Sequence, residues 1–200
     1  GTNKDEMNFW YVRSNYFYNS TGGVVLRLKR SEENLKSWIK YRSDIWRYDG
    51  AEEPLRRMAK SNLNLYAYRF DWDEQNDSSF AGNYQLFVGA AHGLEIPFLT
   101  GDFDLGPITF YIKPFMFPDD SDEGRLALSD LMMTYWANIA KYGNPNEFVK
   151  GPKWEKFTQE NNQLLILDNP TANLVEMRTI PVSKEDLLSQ IEADSALEIK

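Results

Sequence analysis

The single histidine of the 200 residues, His92, lies in the stretch Gly89-Ala90-Ala91-His92-Gly93-Leu94-Glu95-Ile96-Pro97-Phe98. Imidazole takes and gives a proton near neutral pH, so this is the residue to test first for general-base chemistry. It follows the most strand-like run of the chain, with small residues before it and a glycine and a helix-like apolar run after it. A histidine on a short Gly/Ala-rich loop beyond a strand end is placed to reach into a cleft. A lone histidine outside any motif is more often structural, and residue type alone leaves that alternative open. Glu95, three residues on, can lie near it on the following turn. Glu6, taken by itself, reads as an acid in the first turn of a helix, where the helix dipole favours negative charge.

Composition narrows the remaining chemistry. A net charge of −8 disfavours nucleic acid as a partner, because phosphate contacts need a basic patch. The chain has no cysteine, which removes disulfides and thiolate zinc sites, and one histidine cannot build a His-rich metal site. The acidic run Asp119-Asp120-Ser121-Asp122-Glu123 lacks the glycine-punctuated spacing of a calcium loop and reads as a solvated lead into a helix. No metal and no cofactor is expected. No run reaches the ~18–20 apolar residues of a membrane span. An apolar share of 42% and an aromatic share of 14% are those of a globular chain long enough for one core.

Several elements must hold His92 in place. Leu63-Asn64-Leu65-Tyr66-Ala67-Tyr68-Arg69-Phe70-Asp71-Trp72 reads as an interior strand with apolar residues on both faces. A polar loop runs from Asp71 to Gly82, and a short helix from Glu95 toward Gly101. Gly124 to Tyr142 is the clearest helix, with Leu128, Leu131, Met132, Tyr135, Trp136 and Ile139 on one stripe and Gly143 as its stop. Earlier, Gly22-Gly23 reads as a turn. A helix follows Ser31 as N-cap, and another starts near Pro54. Leu164 to Asp168 reads as a final short strand and 182–193 as an amphipathic helix. Residues 102–121 form an aromatic loop; Phe103, Phe110 and Phe115 pack on the core or, alternatively, line a substrate pocket.

Four segments, at 1–10, 63–72, 88–99 and 125–146, resemble the type-B carboxylesterase and cholinesterase family in the right order. Gly-Ala-Ala-His-Gly-Leu-Glu-Ile-Pro-Phe resembles the family's catalytic-histidine segment. Gly1-Thr2-Asn3-Lys4-Asp5-Glu6 resembles its acid segment, with Met7 where the family often has Gly. Trp136-Ala137-Asn138-Ile139-Ala140 through Gly143-Asn144-Pro145-Asn146 is similar to its Trp-x-x-Phe-Ala-x-x-Gly-x-Pro-Asn segment. The resemblance implies the α/β-hydrolase fold, C-terminal portion: the last strands of the sheet and their covering helices. It also implies a Ser-Glu-His triad with Glu6 as acid and His92 as base. Glu95 would stand behind the histidine without touching substrate.

No serine here sits in a Gly-x-Ser-x-Gly elbow and no His-Gly-Gly segment is present, both of which the family carries upstream. The expectation is therefore that residues 1–200 are the C-terminal fragment of a single hydrolase domain. The intact protein would cleave small-molecule carboxylic esters, and this chain alone would be inactive. Its partner would be the upstream half, with self-association of the isolated fragment through the 63–72 edge or the 102–121 stretch. The stretch between acid and histidine is shorter than in the animal cholinesterases, and the resemblance so read implies a compact, cysteine-free microbial type, a soluble bacterial protein of cytoplasm or periplasm. The alternative is a non-catalytic adhesion or protein-binding member of the same fold.

Overall fold

The computed structural model describes residues 17–18, 27–28, 32–61, 63–75, 85, 88–179 and 183–194. Its elements run β1 (Phe17–Tyr18), β2 (Arg27–Leu28), α1 (Glu32–Arg47), a π-helical turn (Tyr48–Glu52), α2 (Glu53–Met58), β3 (Tyr68–Phe70), α3 (Glu95–Thr100), α4 (Thr109–Met116), α5 (Asp122–Tyr142), β4 (Gln163–Leu167), β5 (Glu176–Thr179) and α6 (Lys184–Ala193). Short 3-10 turns at Gly106–Ile108 and Asp119–Ser121 lead into α4 and α5, and a third, Pro170–Ala172, follows β4. The chain divides into two compact units: residues 1–54, 77–86 and 181–200 in one, 55–76 and 87–180 in the other.

In the first unit β1 and β2 pair antiparallel, Phe17 facing Leu28. The Gly22-Gly23 turn and the Ser31 cap fall outside the described residues. Leu35 of α1 is fully buried. The Glu52 carboxylate is also buried, and Arg47 Nε meets it at 2.7 Å, the partner a buried charge requires. Helix α6 opens on a capping box: the Ser183 side chain accepts from Asp186 N–H, and the Asp186 side chain reaches back to Ser183 N–H.

In the second unit three strands lie in the order β3-β4-β5. β3 runs parallel to β4, with Tyr68 opposite Leu165, and β5 runs antiparallel to β4. Leu164, Leu165, Ile166 and Leu167 are all buried, as a central strand covered on both faces requires. Ala67, Phe157 and Leu164 form a small core against which Leu55 of α2, Ala59 and Leu65 pack. Helices α3, α4 and α5 all lie within the long connection from β3 to β4, and such parallel pairing needs a crossover of this kind.

The ten-residue strand expected at 63–72 is reduced to Tyr68–Phe70. The reason lies in what the preceding residues bond to. Leu65 C=O accepts from Phe157 N–H at 2.8 Å. Ala67 C=O accepts both Leu165 N–H at 2.9 Å and the Trp154 indole N–H at 2.9 Å. Ala67 thus still bonds to β4 and carries the indole as a second donor, whereas Leu65 bonds to an irregular segment, and there the ladder stops. The aromatic loop expected at 102–121 contains an eight-residue helix, α4, with Pro114 inside it. β5 was not expected; its residues Glu176, Arg178 and Thr179 are exposed and show no strand-like run of apolar residues.

α5 begins two residues before the expected Gly124 and ends at Gly143, which takes φ +67° and donates its N–H to Ile139 C=O. Leu128, Met132 and Tyr135 on the expected stripe are buried. The polar Asn138 shares the burial. Asn138 Nδ2 donates to Pro145 C=O at 3.0 Å and Glu147 C=O at 2.5 Å. Asn146 grips the Trp154 backbone on both sides, accepting its N–H at 2.7 Å and donating to its C=O at 3.0 Å. Asn138 thus fixes the Gly-Asn-Pro-Asn turn, and Asn146 of that turn fixes the segment that delivers Trp154 to the core.

Candidate active site

The His92 loop lies in the second unit and is defined by its backbone. Gly89 takes φ +51° and Gly93 φ +89°, conformations that a side-chain-bearing residue adopts only with strain. Across Gly93, Leu94 N–H closes a turn on Ala91 C=O at 3.2 Å. His92 is exposed at the tip of this turn. The Glu95 carboxylate, at the start of α3, accepts Gly93 N–H at 2.9 Å. On the other side, Gln75 Nε2 donates to Gly89 C=O at 2.9 Å.

Phe98 anchors α3 below the loop. It is fully buried and packs with ring centroids 5.2 Å from Phe70, 5.2 Å from Trp72, 5.1 Å from Phe103 and 6.1 Å from Phe117. Its carbonyl accepts the buried Ser129 hydroxyl of α5 at 2.9 Å. The loop is therefore tied to the end of β3 and to α5 through one aromatic cluster.

Phe103 belongs to that cluster, 5.2 Å from Phe117, with the buried Arg125 guanidinium 4.2 Å above its ring. Arg125 also pairs with Asp122. Phe110 stands 83% exposed on α4, and Phe115 is half-buried on the same helix. The three phenylalanines named as pocket candidates thus occupy three different environments. Glu6 falls outside the described residues, and so does its pairing with His92. A cleft of about 570 Å³ is lined by Asn64, Tyr66, Tyr142, Asn146, Trp154 and Asn161 among others, and none of the described candidate residues lines it. Among the described residues no group of three or more His, Asp or Glu side chains is arranged to hold a metal. No described helix is long and apolar enough to cross a membrane.

The parallel strands β3 and β4 both end beside a patch of carboxylates that was not anticipated from sequence. Burial pushes the Asp168 carboxyl up to about 6. The Asn169 N–H at 2.7 Å opposes the rise, and the charges of Asp73, Asp71 and Glu74 add to it. A folded value above the unfolded one favours the protonated form in the fold. The stability this group contributes is complete below pH ~4 and is lost as pH climbs through about 6. Asp168→Asn is expected to leave stability at pH 4 nearly unchanged. At pH 8 it should raise stability by about 1 kcal/mol, a figure discounted for the side chain's half-exposure. Urea midpoints at both pH values check this, and an equal shift at the two would refute it.

The arrangement is that of an α/β-hydrolase: parallel strands joined by a helical crossover, with the histidine turn on a helix start that packs against the strand ends. Two solved structures share the fold. A PNB esterase superposes with TM-score 0.53 at 21% identity, over 78% of this chain and 27% of that one. A Geobacillus stearothermophilus carboxylesterase superposes with TM-score 0.51 at 17% identity, over 84% and 30%. Residues 14–185 match the model of the carboxylesterase family, and the chain belongs to that family. It is 34% identical over 161 residues to carboxylesterase 5A of Felis catus, covering 78% of this chain and 25% of that protein. It is 32% identical over 103 residues to acetylcholinesterase of Gallus gallus, covering 52% and 11%. It is also 40% identical over 68 residues to neuroligin-3 of Macaca mulatta, covering 34% and 30%. The chain thus spans less than a third of the length of each of these three relatives.

Proposed function

We propose that residues 1–200 form the C-terminal part of one α/β-hydrolase domain in a serine carboxylic-ester hydrolase. They contribute Glu6 and His92 to a triad whose serine and oxyanion hole lie upstream. The observation that carries this reading is the exposed His92 on a turn held between two positive-φ glycines. Membership of the carboxylesterase family supports ester hydrolysis as the reaction.

The chemistry follows from the residue types. As the serine oxygen bonds to the ester carbonyl carbon, His92 takes the hydroxyl proton. It passes that proton to the departing alcohol oxygen when the C–O bond breaks. His92 then takes a proton from water attacking the acyl-serine and returns it to the serine oxygen. The Glu6 carboxylate on the other imidazole nitrogen orients the ring and stabilises its cationic form. The 200-residue chain has no elbow serine, so by itself it turns over no ester.

The test is covalent. An aryl-ester-hydrolysing intact protein treated with a fluorophosphonate is expected to gain one phosphonyl group per chain on a serine and to lose its activity in parallel. An active protein that stays unlabelled would refute the acyl-serine route. An inactive and unlabelled one would support the non-catalytic, protein-binding alternative.

A further inference from the structure

We infer that Gln75 is a positioning residue for His92, holding the histidine loop at its entry through the Gly89 carbonyl. The inference rests on the reading of His92 as the base. Gln75 is only 6% exposed and lies in the loop after β3, five residues past Phe70 and three past the fully buried Trp72. Its Nε2 donates to Gly89 C=O at 2.9 Å, three residues before His92. The Glu95 contact to Gly93 N–H holds the loop one residue after His92. The two contacts hold the turn on both sides, one from the loop that follows β3 and one from the start of α3.

The other half of the amide makes the case. Gln75 Oε1 is buried and has no hydrogen-bond donor among the described residues. A buried polar atom without a partner costs stability, so a hydrocarbon side chain of the same length would suit this position better if packing were its only duty. An amide that is half unsatisfied but reaches one carbonyl is explained by what that carbonyl holds. Sites that break a local stability rule in this way are where function is expected to sit.

A double-mutant cycle on the intact protein tests the idea, using an aryl ester as substrate. Gln75→Met removes the donor at nearly constant volume. Expected is a fall in kcat of about 10- to 100-fold, the scale of a misplacement near 1 Å, with KM nearly unchanged. The urea midpoint should not fall. In a His92→Ala background, Gln75→Met should lower the residual rate no further, because it acts through the histidine. If Gln75→Met does not fold, Gln75→Asn keeps the amide one methylene short of Gly89 and should give the same pattern. Unchanged kcat would overturn the inference while leaving His92 as base, and so would an equal further loss in the His92→Ala background. Near-full activity of His92→Ala alone would overturn the triad reading, and the inference with it.

Discussion

His92→Ala in the intact protein is expected to lower kcat on a short-chain aryl ester by about four to six orders of magnitude, with KM little changed. The serine hydroxyl is a weak nucleophile unless a base removes its proton as it attacks, and alanine offers none. What survives is the rate enhancement from substrate binding and the oxyanion hole, so the variant should stay above the uncatalysed rate. The fold should be unaffected. His92 is exposed, and the shape of its loop is set by backbone contacts: Gly89 to Gln75, Ala91 to Leu94 and Gly93 to Glu95. A surface truncation of this kind alters stability by about 0.5 kcal/mol or less. Steady-state kinetics with an unfolding curve on the same sample gives both numbers. Near-wild-type kcat in a folded variant would remove His92 from the mechanism.

Trp154→Ala is expected to produce the largest loss of stability, about 3–5 kcal/mol. Trp154 is almost completely buried. Its ring centroid lies 5.9 Å from Tyr66, 6.1 Å from Tyr68, 5.4 Å from Tyr135 and 5.3 Å from Trp136, mostly edge to face. Its indole N–H supplies the second hydrogen bond to Ala67 C=O. Truncation would remove this packing and leave a cavity between the strand approach and α5. Trp154→Phe separates the two contributions. It keeps most of the ring, loses the N–H, and leaves Ala67 C=O its bond to Leu165, so it should cost well under half as much. Urea midpoints of the intact protein decide. A loss below about 1 kcal/mol for the alanine variant would show that the site collapses around the gap.

The elements that sequence made legible are those whose signal is local. α5 shows its apolar stripe and its stop at Gly143 within one window, and β4 is an unbroken apolar run between polar residues. The histidine turn is legible because glycine on both sides of Ala90-Ala91-His92 writes the needed positive φ values into the sequence. What was missed depends on distant partners. Asp73, Glu74 and Gln75 read as a polar loop, and only the return of the chain at Gly89 buries the last of them. Arg125 looks like a surface cation on a helix; Phe103, 22 positions earlier (125 minus 103), gives it a buried aromatic face. The strand at 63–72 is shorter than its apolar run because the backbone partner of Leu65 is Phe157, 92 positions away (157 minus 65), in an irregular segment rather than in β4.

The parallel register of β3 on β4 sets a clock on synthesis. Tyr68 faces Leu165, 97 positions further along the chain (165 minus 68). At roughly 5–20 residues per second, the ribosome needs on the order of 5–20 s to make the stretch between them, before any passage through the exit tunnel. Throughout that interval β3 exists without β4. A hairpin partner would close on it in ~1–10 μs once both strands were available. The nascent chain therefore carries this aromatic-rich strand without its β4 partner for a period about a million times longer than local pairing takes. A strand edge left open for that long is a place where another chain's strand can pair first.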